Sequence, residues 1–267
     1  MHRRALLVGL LALSVVTAGC NLGGTGTVGP GTPATDATGG LPTETSAGPF
    51  GGASPPPGAD VTGITDVEGL LSAHAGNVNG TSATVEMGFS LTVNGTGQNA
   101  SLRGKVVPSA DRGWMRVSFQ DGVGTYYTED GTTYFREIVD EDTQYGTTGE
   151  ISAVPARPRF GADERVRTAL RSAEWTPVGT VERGGRTLFE YRATSVDPPD
   201  VNATADATVS SSGRLLVDAR GVVHLVAVRT TVETDRGTVR YALRVTLSDV
   251  GSTTVERPDW FDLAAGS

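Results

Sequence analysis

Val85-Glu86-Met87-Gly88-Phe89-Ser90-Leu91-Thr92-Val93 alternates without a break: Val85, Met87, Phe89, Leu91 and Val93 fall on one parity, Glu86, Ser90 and Thr92 on the other. Successive side chains of a strand point to opposite faces, so this stretch is a strand with one face in a core and one in water. Runs of the same period return at 98–107, 112–120, 123–129 and 132–139. After an interruption they resume at 176–183, 186–195, 205–211, 213–219, 222–233 and 237–249. In the last of these, Val239, Tyr241, Leu243, Val245 and Leu247 alternate with Arg240, Arg244, Thr246 and Ser248.

Between the runs stand Asn94-Gly95, Asp121-Gly122, Asp130-Gly131, Gly184-Gly185, Ser212-Gly213 and Arg236-Gly237. These residues accept positive φ and close tight hairpins. The spacing leaves no room for helical crossovers, so the strands form an antiparallel meander. Two helices are expected beside it. Thr65 or Asp66 caps one that runs to about Asn77, with Val67, Leu70, Leu71 and His74 on one side. The other spans Ala162–Glu174, with Val166, Ala169, Leu170 and Ala173 on a stripe, after a Pro-broken loop at 154–160. An open twisted sheet of about ten strands curls. The expectation is an α+β, mostly β domain: a strongly curved antiparallel half-barrel with two short helices on its concave face.

Outward from this domain, over residues 63–267, the composition changes. Residues 21–62 are rich in Gly, Thr, Pro and Ser with few large apolar side chains. Such a segment buries too little surface to offset its ordering entropy and reads as a disordered tether, with a reach of roughly 35 Å. Gly24-Thr25-Gly26-Thr27-Val28-Gly29 inside it matches G-x-G-x-x-G, but Pro30 follows where a phosphate-binding helix must begin. Residues 1–20 have the plan of a secretory signal: basic Arg3 and Arg4, an apolar run from Ala5 to Val16, then Ala18-Gly19-Cys20. That run is too short to span a hydrocarbon core of ~30 Å as a helix. Ala18-Gly19-Cys20 resembles a lipobox, with Thr17 where an aliphatic residue is usual, and Arg3-Arg4 resembles a twin-arginine export signal. Lipid attached to Cys20 would anchor the chain to the outer face of the cytoplasmic membrane.

The net charge is −8 and the pI near 4.9. Nucleic-acid binding needs clustered positive charge and is not expected. Lys105 is the only lysine, against 30 acidic residues, a balance that resembles a halophile's protein. A net acidic surface self-repels, and high salt screens the penalty. Cys20 is also the only cysteine, so the domain has no internal disulfide.

Arg3-Arg4, Ala18-Gly19-Cys20, the Gly/Thr/Pro tether, Leu70-Leu71-Ser72-Ala73-His74 and the closing Val255-Glu-Arg-Pro258-Asp-Trp260 together resemble a family of haloarchaeal surface lipoproteins. Their domain is similar to the lipoprotein-carrier (LolA-like) half-barrel. The resemblance implies a hydrophobic cavity for acyl chains and carries no catalytic residue with it.

Candidate chemistry is sparse. His74 and His224 fall among apolar neighbours and read as structural. Asp140-Glu141-Asp142, with Glu137 and Asp130, lacks the ligand spacing of a calcium loop and reads as a solvated acidic loop, so no metal or other cofactor is expected. No nucleophile elbow, P-loop or zinc motif occurs, and no enzyme activity is expected. Asn79, Asn94, Asn99 and Asn202 begin sequons and are candidate glycosylation sites. Trp114, Phe119, Tyr126 and Tyr134 lie on consecutive strands and are candidates to line an apolar pocket, the alternative being ordinary cross-strand packing. The functional expectation is a membrane-anchored lipoprotein that binds a lipid or other apolar ligand. Its rival is an envelope interaction module without a small ligand, and an extracytoplasmic enzyme is the weaker alternative. No oligomeric state follows from the sequence.

Overall fold

The β5–β6 hairpin explains where the sheet differs from expectation. Strand β5 (Thr132–Val139) turns through Asp140 and Glu141 into β6 (Asp142–Thr148), a strand that the sequence reading left inside the interruption. Both turn residues have positive φ, 48° and 76°, without a glycine between them. The acidic cluster is therefore a tight hairpin turn. Among the described residues no group of acidic, His or Cys side chains has the arrangement of a metal site. A second correction removes a strand: Ser212-Gly213 is not a turn but the middle of one strand, β9 (Thr208–Asp218).

These come from a computed structural model, which describes residues 49–148, 162–196 and 207–267. The remaining strands are β1 (Ala83–Val93), β2 (Thr96–Val107), β3 (Arg112–Phe119), β4 (Gly122–Glu129), β7 (Thr176–Arg183), β8 (Arg186–Ala193), β10 (Val223–Thr234) and β11 (Gly237–Ser248). All eleven belong to one antiparallel sheet in the order β6-β5-β4-β3-β2-β1-β11-β10-β9-β8-β7. The sheet is open, with β6 and β7 as its edges. It consists of two meanders, β1–β6 and β7–β11, joined where β1 pairs with β11 and Val85 stands opposite Leu247. This is the half-barrel expected, with eleven strands.

Three short helices accompany it: α1 (Val67–Val78), α2 (Ala162–Arg171) and α3 (Phe261–Ala265). Asp66 caps α1, its Oδ1 accepting from the Gly69 N–H at 2.9 Å, which satisfies one of the donors a helix start leaves free. The two helices expected from the sequence, α1 and α2, lie on one face of the sheet, here called inner. Leu70, Leu71, Val78, Val166, Ala169 and Leu170 pack there against Leu215, Val217, Val226 and Val245 in the main core. The carboxylate of Glu68 on α1 ties the helices together, accepting from Arg171 at 2.6 Å and Arg167 at 3.1 Å. The third helix, too short for a periodic signal, lies on the outer face.

The packed domain also begins earlier than residue 63. Phe50, inside the stretch read as tether, is 4% exposed and meets Phe189 and Tyr191 edge-on, at 5.0 and 5.6 Å between ring centres. Burying a phenyl ring contributes about 2–3 kcal/mol, enough to hold down a short glycine-rich approach. The expected signal, the expected lipidation site at Cys20, the G-x-G-x-x-G match and the sequon at Asn202 lie outside the described residues.

Candidate functional site

Strand register decides which aromatic residues meet. Met115 pairs with Tyr126, and Tyr126 with Phe135, all on the inner face. Trp114 pairs with Tyr127, and Tyr127 with Tyr134, on the outer face. The four pocket candidates are therefore not brought together. Trp114 and Tyr134 belong to a separate outer cluster with Tyr127, Trp260 and Phe261, closed over by the C-terminal segment. There the Phe261 ring packs against Tyr134 with centres 4.4 Å apart and planes tilted by 52°, and the Arg257 guanidinium sits 4.3 Å from the Phe261 ring centre. Glu129, 8% exposed, accepts from both Arg112 and Arg257 at 2.6 Å. The hydrogen bond from Arg257 leads in holding its carboxyl below the ordinary carboxylate range, against the effect of burial. Phe119, 41% exposed, shares the inner-face parity of Met115 and Val117 and stands at the exposed end of β3, outside both buried clusters.

Tyr126 is the candidate in a ligand-like setting. The helices rest on only part of the inner face, α2 against β10 and β11. Beside them, Met87, Phe89, Leu91, Leu102, Val117 and Phe135 form a half-buried apolar strip across β1, β2, β3 and β5. Tyr126 crosses its floor. A Cβ on Gly124 would stand 2.7 Å from the Tyr126 ring, and one on Gly146 2.7 Å from the Phe135 ring, so both rings lie flat over glycines. Flat rings over glycine keep the strip shallow and smooth. The Tyr126 hydroxyl donates to Glu137 Oε1 at 2.7 Å. Burial first, and then this bond, raise the Tyr126 hydroxyl above its ordinary titration range, so it remains a donor at neutral pH. On β1–β6 and β11 of the inner face, Glu137 and Asp142 are the only Asp, Glu, Lys or Arg side chains. This strip is the half-buried apolar surface that the register leaves beside the helix-covered part of the inner face.

The outer face has the opposite character. Arg103 stands directly across from Arg116, and Arg240 across from Thr92. A groove of about 790 Å³ lies near the β1–β2 turn, lined by Thr92, Asn99, Ser101, Ser118, Phe119 and Gln120 among others.

Both histidines are structural. Both ring nitrogens of His224 face acceptors, Leu247 O at 3.3 Å and Asp218 Oδ2 at 3.2 Å, and His74 is held between α2 and β10. Of the described sequons, Asn94 is engaged at the β10–β11 turn: Thr238 N–H donates to its Oδ1 at 2.9 Å and its Nδ2 donates to Arg236 O at 3.3 Å. Asn99 is exposed on β2, and Asn79 is exposed at the end of α1. Among the described residues no helix is long and apolar enough to cross a membrane.

A family model matches residues 4–264. The chain belongs to the family of unknown function DUF7537. Among solved structures, this DUF7537 member is similar to LprF from Mycobacterium bovis, at 12% identity and a TM-score of 0.34, over 74% of this chain and 98% of that one. It is similar to the Mycobacterium tuberculosis lipoprotein LppX at 11% identity and a TM-score of 0.34, over 70% and 97%. A DUF1329 family protein from Desulfovibrio piger follows at 8% identity and a TM-score of 0.24, over 73% and 96%. No curated protein sequence matches the chain.

Proposed function

We propose that this DUF7537 member is an exported lipoprotein, anchored through Cys20, that binds an amphiphile by laying its apolar part along the inner-face strip. The observation that carries this reading is the strip itself: large apolar side chains left half-buried beside a filled core, on a face almost without charge. An acyl or isoprenoid chain laid over them would remove apolar surface from water at about 25 cal/mol per Å². Ala18-Gly19-Cys20 supports the anchor and the basic-then-apolar start supports export.

The test is native mass spectrometry of the full chain with organic extraction, beside a Val117→Arg variant. A co-purifying amphiphile at near-stoichiometric occupancy, lost in the variant, supports the reading. A clean apo mass in both overturns it. The anchor is tested separately by Cys20→Ser, expected to move the protein from the membrane to the soluble fraction.

A second reading rests on the outer face. Like charges directly opposite one another weaken a sheet. Arg103 is balanced on its other side by Glu86 at 3.3 Å, whereas no ion pair engages Arg116 among the described residues, so Arg116 is the outer-face charge that an anionic partner would meet. The envelope-interaction reading predicts salt-sensitive association of the full chain with an acidic surface, reduced by Arg116→Ser and untouched by Val117→Arg.

A further inference from the structure

The strip described above is apolar except at one place, and that place has a definite chemistry. Glu137 is half-buried between Phe135 and Val139 on β5, facing Gly124 and Gln144 on the neighbouring strands. Its Oε1 is taken by the Tyr126 hydroxyl. Among the described residues, no hydrogen bond or ion pair engages Oε2. The neighbouring inner-face charge, Asp142, is also an acid, opposite Val139 at the exposed start of β6. This end of the strip thus offers acceptors and negative charge, the second oxygen of Glu137 and the remaining lone pair of Tyr126, with the exposed Gln144 amide beside them able both to accept and to donate. A partly buried carboxylate gains from a hydrogen-bond donor and repels another anion at the same spot.

We infer that Tyr126 and Glu137 form the polar anchor of the strip and select an amphiphile whose polar end donates hydrogen bonds and carries no negative charge, such as a long-chain glycerol ether, over a fatty-acid anion. The inference rests on the lipid-binding reading and adds the headgroup class to it. Tyr126 is a positioning residue. Its hydroxyl occupies Oε1 and holds the Glu137 carboxylate against the sheet, so that Oε2 faces the ligand. The apolar chain runs from this anchor over Val117 and Leu102 toward Phe89, where the Tyr241 ring meets Phe89 at 5.6 Å. Arg165 of α2 is near enough to Tyr241 for its charge to act on the phenol, so an anionic head drawn to that far end is the opposite outcome.

The discriminating experiment is displacement of the neutral fluorophore N-phenyl-1-naphthylamine from the full chain at pH 7.5. The competitors are 1-O-hexadecylglycerol and palmitate, which share a chain length and differ in the head. The ether is expected to compete about tenfold more tightly, the scale of one hydrogen bond to a charged group. Glu137→Gln, which keeps shape and removes charge, is expected to reduce this preference to about threefold or less, chiefly by strengthening palmitate. Tyr126→Phe is expected to weaken the ether while leaving Glu137 to repel palmitate. Equal affinity for both heads, or a preference unchanged by Glu137→Gln, overturns the inference and leaves lipid binding intact. Tighter palmitate binding abolished by Arg165→Gln also overturns it, by placing the head at the other end. If the fluorophore binds and neither competitor displaces it, the lipid reading falls together with the inference. Circular dichroism melts of each variant establish that the fold is retained.

Discussion

The Val223 backbone N–H donates to His74 Nδ1 at 3.1 Å, fastening α1 to the first residue of β10. An accepting Nδ1 leaves the ring hydrogen on Nε2, which faces Asp163 Oδ1 on α2 at 3.5 Å. One imidazole therefore links two helices and the sheet, and it is 3% exposed. His74→Ala leaves the Val223 N–H buried without an acceptor, and a loss of about 2–3 kcal/mol is expected in urea denaturation. A loss below about 0.5 kcal/mol would show that the bond does not organise this corner.

Asp218 makes stability fall in acid. Burial would raise its carboxyl, but hydrogen bonds from His224 and from the Val222 and Arg220 N–H groups outweigh that and hold it at about 2, against an ordinary 3.8. A depressed folded value stabilises the protein above the unfolded value, and the contribution disappears as pH falls through the folded one. The expected loss is about 2 kcal/mol between about pH 4 and pH 2. Asp218→Asn should flatten the stability profile across that window while lowering its neutral plateau. A variant whose acid limb has the wild-type slope would contradict this assignment.

The C-terminal segment is latched through Glu129. Each of Arg112 and Arg257 leaves the other as a partner when removed singly, so Arg112→Ala and Arg257→Ala are expected to lower Tm modestly. Together they leave a buried carboxylate alone, and the double variant should lose more than the sum of the singles. Limited proteolysis is expected to show cleavage near residues 255–260 first in variants carrying Arg257→Ala. Additive Tm losses would mean that the two arginines act independently.

Tyr191 sits fully buried in the main core, and its hydroxyl has no hydrogen-bond partner among the described residues. Tyr191→Phe removes an unsatisfied polar atom without opening a cavity, and a gain of about 1 kcal/mol is expected by chemical denaturation. A loss of stability would reveal a partner for that oxygen.

The sequons differ in what a glycan would displace. At Asn94, φ is 51° and the amide serves the neighbouring turn through both its atoms, whereas Asn99 is exposed and its side chain makes no hydrogen bond to a described residue. Peptide mapping of the protein from its native host is expected to show Asn99 occupied above Asn94. Preferential occupancy at Asn94 would require the β1–β2 turn to be modified before it folds.

The strands were legible because period-2 alternation reports burial on one face, and the turns at Asn94-Gly95, Asp130-Gly131 and Gly184-Gly185 all show the positive φ that their residues invite. Asp140-Glu141 was not legible, since its positive φ is imposed by the hairpin rather than by glycine. Gly213 misled in the other direction: it is a strand residue whose missing side chain makes room for Trp175, 2.8 Å from where its Cβ would be. Phe50 carried no periodic signal, being one apolar residue among Gly and Pro. The aromatic candidates failed as a group because pocket membership depends on parity across strands, and Trp114 and Tyr126 fall on opposite parities of paired strands. Glu137 was seen only as part of an acidic run. Its role needs the knowledge that its strand neighbours on that face are apolar.

The joint between β1 and β11 governs how a nascent chain acquires this structure. Each meander forms from contacts between neighbours in sequence, which close quickly, whereas Val85 waits for Leu247 to be synthesised. Until then β1 is an open edge with free backbone donors and acceptors, next to the half-buried apolar row of the same strand. A chain still on the ribosome therefore keeps that edge of β1 unpaired until β11, the last strand in sequence, has been made.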